Sequence, residues 1–275
     1  MRAAVLGSPI AHSLSPVLHR AAYAELGLDW SYDSYDVTET DLPGFVSGLD
    51  GDVVGLSLTM PLKRAVIPLL DWVSPLARQV HAVNTVVLGR GRRLGANTDV
   101  PGMVAALRER GVAGAASATV VGGGATATSA LAALADLGLR EAAVVVRRPE
   151  AAGELVAAAD RLGVRADVRA WAEGADPAAG LLARDLVIST VPGDAAAGLL
   201  PALPAAPRAL FDVVYHPWPT ALAAAWASAG GLVVGGLDLL VHQAVLQVGL
   251  MTGRDTAGLV EVMRAAGERA LAARA

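Results

Sequence analysis

Cysteine is absent from the 275-residue chain. That excludes disulfides, thiolate zinc sites, iron–sulfur clusters and cysteine nucleophiles. Aromatic residues make up only 4% of it, so its core has to come from close aliphatic packing rather than from ring clusters. A basic excess is missing too. The formal net charge is -4, and a nucleic-acid binder needs basic stripes to neutralise phosphates. The five histidines, His12, His19, His81, His216 and His242, lack metal-ligand spacing such as H-E-x-x-H, so no metal site is expected. The apolar start MRAAVLGSPIAHS is too short for a signal-peptide core and breaks into Pro, His and Ser, which points to a cytoplasmic location. Lysine is almost absent. Of 22 Lys plus Arg, 21 are arginine and one is Lys63.

One stretch, residues 113–135, carries no charge and is long enough on length alone to span a bilayer. Three consecutive glycines with Thr and Ser around them break it up. The pattern reads as strand, tight turn and helix, and no membrane span is expected.

What is present is plentiful apolar material, 54% of the residues, in alternating strand and helix signals. The length fits one large domain or two ordinary ones, at about 150 residues per domain. In the first half, MRAAVLG, WSYDSYDV and DVVGLSLT read as strands. Ser15–Pro16 reads as an N-cap followed by proline, Pro61 opens a helix through PLKRAVIPLL, and Ser74–Pro75 begins another. VNTVVLGRGRRLGANTD reads as a hairpin about Gly89–Arg90–Gly91. In the second half SATVVGG, EAAVVVRR, ADVRAWA, DLVISTV and ALFDVVY are strands with helical stretches between, and the chain ends helical. Regular alternation of this kind implies a parallel sheet covered by helices. A domain boundary is expected near Asp99 to Met103.

The strand SATVV runs into Gly122, Gly123, Gly124, Ala125, Thr126 and Ala127, which fits G-x-G-x-x-A between a strand and a helix. Glycines there allow a tight turn and close approach of backbone N–H groups to a pyrophosphate, and the helix N-terminus favours the charge. The bland alternative is an ordinary glycine turn in an Ala/Gly-rich chain. An NAD site expects an acidic residue about 20 residues further on, against the ribose 2′-OH. Here the next strand ends in Arg147 and Arg148, whose guanidinium forks match a phosphate. NADP is therefore the expected cofactor, unless the two arginines merely face water.

Reducing a ketone by hydride makes an alkoxide that must be protonated. Lysine can give up a proton, and arginine effectively cannot. The single Lys63 is thus a candidate proton donor, against the alternative of a solvated lysine at a helix start. Such a lysine wants an orienting carboxylate. Asp99, at the end of GANTD, is the candidate if both domains face one cleft, although it also stands where it would cap the following helix.

Six motifs in register along nearly the whole chain are together similar to the shikimate dehydrogenase family. They are GSPIAHSLSP at 7–16, SLTMPLK at 57–63, AVNT at 82–85 with NTD at 97–99, the glycine loop with Arg147, DVVYHPWPT at 212–220, and GLDLLVHQ at 236–243. The resemblance implies an α/β fold of two domains: an N-terminal α/β substrate domain (1–101 plus 238–275) and a Rossmann-type parallel-sheet NADP domain (102–237). It implies NADP-dependent, reversible reduction of 3-dehydroshikimate to shikimate, on the way to chorismate and aromatic amino acids. Lys63 and Asp99 would be the catalytic pair. Ser13 and Ser15 would hold the substrate carboxylate. Thr59, Asn84 and Gln243 would contact ring hydroxyls, with Tyr215 on the carboxylate side. Gly236 and Leu239 would lie by the nicotinamide. The expected partner is a small molecule, with no nucleic acid or membrane, and a monomer or homodimer is expected.

The chain departs from the family pattern at four places. Ser57 stands where Asn is usual, Arg20 follows His19 where Asn is common, Val146–Arg147–Arg148 replaces Asn-Arg-Thr, and Leu239 stands where methionine is common. Two other functions stay open: a quinate/shikimate dehydrogenase using NAD, and a non-catalytic NADP-binding sensor.

Overall fold

The computed structural model describes residues 1–191 and 193–274. The chain forms two compact units, Met1–Gly102 with Leu240–Ala275, and Met103–Leu239.

The first unit opens with β1 (Arg2–Gly7), α1 (Ser15–Glu25), β2 (Ser31–Asp36), α2 (Leu42–Ser47) and β3 (Val53–Leu58). There follow α3 (Leu62–Ala65), β4 (Trp72–Val73), α4 (Pro75–Val80), β5 (Thr85–Gly89) and β6 (Arg92–Ala96), after which α5 (Asp99–Glu109) leads into the second unit. The sheet order is β2-β1-β3-β5-β6-β4. β1 lies parallel to both β2 and β3, but β5 runs antiparallel to β3 and to β6. The sheet is therefore mixed, where strand–helix alternation implies a parallel one. The hairpin is the cause: Arg90 and Gly91 take φ of 51° and 71°, the left-handed pair that a two-residue turn requires. Leu6, Leu56, Leu58, Leu62, Val83 and Val86 share one buried cluster in this unit. β2, at the edge of the sheet, buries Tyr32 while Ser31, Ser34, Tyr35 and Asp36 are exposed.

The second unit contains β7 (Ala118–Val121), α6 (Ala125–Asp136), β8 (Glu141–Val146), α7 (Gly153–Leu162), β9 (Arg165–Ala170) and α8 (Trp171–Gly174). It continues through β10 (Leu186–Ser189), β11 (Ala209–Asp212), α9 (Ala221–Ser228) and β12 (Leu232–Val234). All its strand pairs are parallel, in the order β12-β11-β10-β7-β8-β9. β8 is buried from Ala142 to Val146 without alternation, the mark of a strand covered on both faces. Val121, Val145, Val187, Leu210, Leu222 and Trp226 belong to its core. The strand order reverses between β7 and β10, the crevice where doubly wound sheets bind ligands.

α10 (Gly236–Thr252) brings the chain back to the first unit, where α11 (Leu259–Ala272) packs against α1. Among the described residues no helix is long and apolar enough to cross a membrane.

Three local expectations are corrected. Ser15 is the first residue of α1, not its N-cap; Leu14 holds that place, and its side chain makes no capping hydrogen bond. The stretch after Pro61 is two short pieces, α3 and a 3-10 turn at Ile67–Leu69, because Pro68 cannot continue a helix. The strand read through Trp171 stops at Ala170, and the chain turns into α8.

Candidate active site

In the first unit the end of β3, the residues just before β5, the end of β6 and α3 are tied together by backbone bonds. Leu58 N–H donates to the Asn84 carbonyl at 2.8 Å, Asn84 N–H to that of Ala96 at 3.1 Å, and Val83 N–H to that of Lys63 at 2.8 Å. This framework places Lys63, on α3, beside Asp99, the first residue of α5. Lys63 Nζ donates to Asp99 Oδ2 at 2.7 Å, with the side chains 13% and 6% exposed. The pair thus meets within one unit and needs no facing of two domains.

A largely buried ion pair holds only when further hydrogen bonds satisfy its remaining lone pairs. Asn84 supplies one. Its Nδ2 lies 2.9 Å from Asp99 Oδ1, 2.9 Å from Thr98 Oγ1 and 3.3 Å from Gln243 Oε1. Its Oδ1 accepts from Thr98 N–H at 2.8 Å and from the Thr85 hydroxyl at 2.9 Å. Gln243, on α10, donates through Nε2 to the Leu240 carbonyl at 2.8 Å, which turns its oxygen toward Asn84. One lysine, one carboxylate and two amides so form a compact polar cluster that can hold hydroxyl groups and exchange a proton.

Asp99 does not cap α5 with its side chain. Asn97 Oδ1 accepts the Val100 N–H at 3.1 Å, and Asn97 Nδ2 donates to the Ala82 carbonyl at 3.0 Å. The carboxylate is left for Lys63 and Asn84.

Thr59 follows β3, its N–H bonded to the Leu6 carbonyl at 2.9 Å. It comes so close to β1 that a Cβ on Gly7 would lie 2.3 Å from its Cγ2, so glycine at 7 makes that approach possible. Ser13 Oγ accepts the Ser15 N–H at 3.3 Å at the start of α1, where Ser15 is buried. His19, one turn on, is fully buried. Its Nδ1 lies 2.9 Å from the Ser15 carbonyl, an acceptor, so Nδ1 carries the hydrogen. Desolvation by burial lowers its pKa to about 4, the Ser15 hydrogen bond opposing.

The second unit holds the glycine loop at the end of β7. Gly122 takes φ of +118°, and a Cβ on it would lie 2.3 Å from Thr190 Oγ1. Thr190 itself bonds to the Val121 carbonyl through both N–H and hydroxyl at 2.8 Å. Gly123 and Gly124 follow, and among the described residues no side chain caps α6 at Gly124. Ala125 and Thr126 form its first turn, and Ala127 is fully buried, the small residue that close helix–strand packing needs. Uncapped N–H groups beside a backbone without Cβ atoms fit a pyrophosphate. Arg147 and Arg148 are both exposed at the end of β8, where a 2′-phosphate would be met.

Gly236, the first residue of α10, also permits no side chain, since a Cβ would lie 2.1 Å from the Val213 carbonyl oxygen. Leu239 is buried and Tyr215 half-buried in this unit. Asp212, at the end of β11, accepts from the Thr220 hydroxyl at 2.6 Å and from Val214 N–H at 3.2 Å. Burial raises its pKa, outweighing these bonds.

Sequence reasoning gave no role to Thr85, Asn97, Thr98 or Gln247, all buried around Asn84. A signal existed for Gln247: it lies four residues after Gln243 and so shares a helix face with it.

Comparison with known proteins adds an independent line. The family model "Shikimate dehydrogenase substrate binding domain" matches residues 5–86. The shikimate dehydrogenase (NADP(+)) of Thermus thermophilus is 39% identical over 271 residues, 97% of this chain and 98% of the relative. Among solved structures, the shikimate dehydrogenase of Mycobacterium tuberculosis is 40% identical with a TM-score of 0.86, covering 98% of this chain and 99% of that one. A shikimate 5-dehydrogenase of Thermus thermophilus, solved in complex with NADP(H) and shikimate, is 34% identical with a TM-score of 0.80, covering 97% and 99%. By these matches the chain belongs to the shikimate dehydrogenase family.

Proposed function

We propose that the protein catalyses the NADP-dependent, reversible reduction of 3-dehydroshikimate to shikimate, a step toward chorismate and the aromatic amino acids. The observation that carries this reading is the 2.7 Å bond between the chain's single lysine and Asp99. NADPH, when bound, supplies the hydride. Gly122, Gly123, Gly124, Ala125, Thr126 and Ala127 would hold its pyrophosphate, Arg147 with Arg148 its 2′-phosphate, and Gly236 and Leu239 its nicotinamide.

The remaining work falls to the chain's side chains. In the reductive direction the Lys63 ammonium gives its proton to the carbonyl oxygen as the carbon gains hydride, leaving a neutral amine and an alcohol. In the oxidative direction the amine takes that proton back. Asp99 holds the ammonium in place and balances its charge. Asn84, Gln243 and Thr59 would bind ring hydroxyls and Ser13 with Ser15 the carboxylate, with Tyr215 on the carboxylate side. A ligand with one carboxylate and three hydroxyls suits donors and acceptors of this kind, since buried polar groups discriminate strongly against ligands that leave them unpaired.

The test is the initial rate of NADP⁺ reduction with shikimate, run beside NAD⁺ and beside quinate. Turnover confined to shikimate and NADP⁺ is expected. Equal turnover with NAD⁺ or quinate points to a broader dehydrogenase, and no turnover from a protein that binds NADP⁺ overturns the reading.

A further inference from the structure

Ser57, where the family pattern carries Asn, is buried and engaged inside the first unit. Tyr32 OH donates to Ser57 Oγ at 2.6 Å, and Ser57 Oγ donates to Gln247 Oε1 at 2.8 Å. Gln247 Nε2 in turn donates to the Asn84 carbonyl and to Thr85 Oγ1, each at 3.1 Å. The Thr85 hydroxyl donates to Asn84 Oδ1 at 2.9 Å, and Asn84 Nδ2 donates to Asp99 Oδ1 at 2.9 Å. Every residue of this series is at most 4% exposed.

We infer that Gln247 is a positioning residue for the catalytic pair: the chain Tyr32–Ser57–Gln247–Thr85–Asn84 holds the Asn84 amide in the single orientation that directs an N–H to Asp99. This rests on reading Lys63 and Asp99 as that pair.

The donor directions make the argument. A backbone carbonyl only accepts, so the Gln247 NH₂ must face Asn84 O, and its oxygen must face Ser57. Ser57 has one proton, and giving it to Gln247 obliges Tyr32 to donate. Burial keeps Tyr32 a neutral phenol by raising its pKa, so it has a proton to give. At the other end, Thr98 N–H only donates and the Asp99 carboxylate only accepts, so both meet the Asn84 amide in the same orientation that the Thr85 hydroxyl supports. All links therefore point one way, from Tyr32 to Asp99. Fully satisfied buried networks of this kind select one arrangement.

The experiment compares Gln247→Met, Tyr32→Phe and the double variant with the wild type, in kcat and in KM for shikimate and NADP⁺, well below each Tm. The loss expected for Gln247→Met is about tenfold in kcat, and for Tyr32→Phe about threefold, the scale of one lost hydrogen bond. KM for NADP⁺ stays unchanged. Because Tyr32 acts through Gln247, the double variant matches Gln247→Met alone. Wild-type kcat in a folded Gln247→Met, or losses that multiply in the double variant, overturn the inference. If Gln247→Met does not fold, Tyr32→Phe decides, and wild-type kcat there overturns it equally. The Asn84 side-chain amide signal in a ¹⁵N NMR spectrum separates this from the reading it rests on. It should shift in Gln247→Met whatever the substrate proves to be, and an unmoved signal refutes the chain itself.

Discussion

Asn97 accepts the backbone N–H of Val100 at 3.1 Å, and with that bond the first turn of the helix beginning at Asp99 is served by a neighbour of Asp99 rather than by Asp99. Capping and the ion pair are thereby divided between two residues two positions apart. Asn97→Ala should lower stability by about 1 kcal/mol, the usual cost of a lost cap, and leave turnover of folded protein within a few-fold. Asp99→Asn keeps the shape and removes the charge that holds Lys63. Its kcat should fall by about a hundredfold or more, the range for loss of a proton-transfer arrangement. Urea titrations and steady-state rates on both variants check the division.

Lys63→Arg asks whether the site needs a charge or a proton. Arginine preserves the positive charge against Asp99 but does not release a proton at accessible pH. Its kcat should fall by about 10²- to 10⁴-fold, as for Lys63→Ala. A variant that kept a tenth of wild-type activity would show that charge alone serves the alkoxide.

Arg147 and Arg148 lie exposed at the end of β8, and their removal should cost little stability. If they meet the 2′-phosphate, Arg147→Ala raises KM for NADP⁺ by about ten- to a hundredfold, the scale of a charged hydrogen bond. KM for NAD⁺ should hardly change. Equal losses with both cofactors would mean that the arginines read no 2′-phosphate.

Much of the fold was legible because its signals are local. The Arg90–Gly91 turn is marked by its glycines, β8 by its unbroken apolar run, and α4 by Ser74, whose side chain accepts the Ala77 N–H at 3.2 Å. β4 and β12 escaped notice because two and three residues are too few to establish a period of two. In the candidate site, rarity singled out Lys63 and the N-T-D order singled out Asp99. No local pattern relates Tyr32 to Ser57 or Ser57 to Gln247, which are 25 and 190 residues apart. The fold alone joins them, and Ser57 read in isolation is only a departure from a motif.

Gly122 and Gly124 should part company when each is replaced by alanine. Gly122 combines φ of +118° with a would-be Cβ 2.3 Å from Thr190 Oγ1. Gly122→Ala should therefore lose about 1–3 kcal/mol of stability. Among the described residues nothing lies within 4 Å of a would-be Cβ on Gly124, so Gly124→Ala should melt like the wild type. If its bare backbone is there for the pyrophosphate, KM for NADP⁺ nonetheless rises. Thermal melts with NADP⁺ titrations separate the two, and unchanged NADP⁺ affinity in Gly124→Ala counts against the loop's assignment.

His19 makes stability depend on pH. Its ring stacks on Tyr32 at 3.9 Å between centroids, is fully buried, and has Nε2 without a hydrogen-bond partner among the described residues. Its folded pKa is lowered from 6.5 to about 4. Between those values the unfolded chain binds a proton that the folded chain refuses, so stability falls as pH drops through that window. The full loss is about 3 kcal/mol, from about 1.4 kcal/mol per pH unit. His19→Asn retains a donor for the Ser15 carbonyl and does not titrate. Urea midpoints at pH 7, 6, 5 and 4.5 should fall more steeply for the wild type than for His19→Asn, since carboxylates contribute alike to both. Parallel slopes would mean that His19 takes up its proton inside the fold, and that its buried, neutral state is not what the acid limb reports.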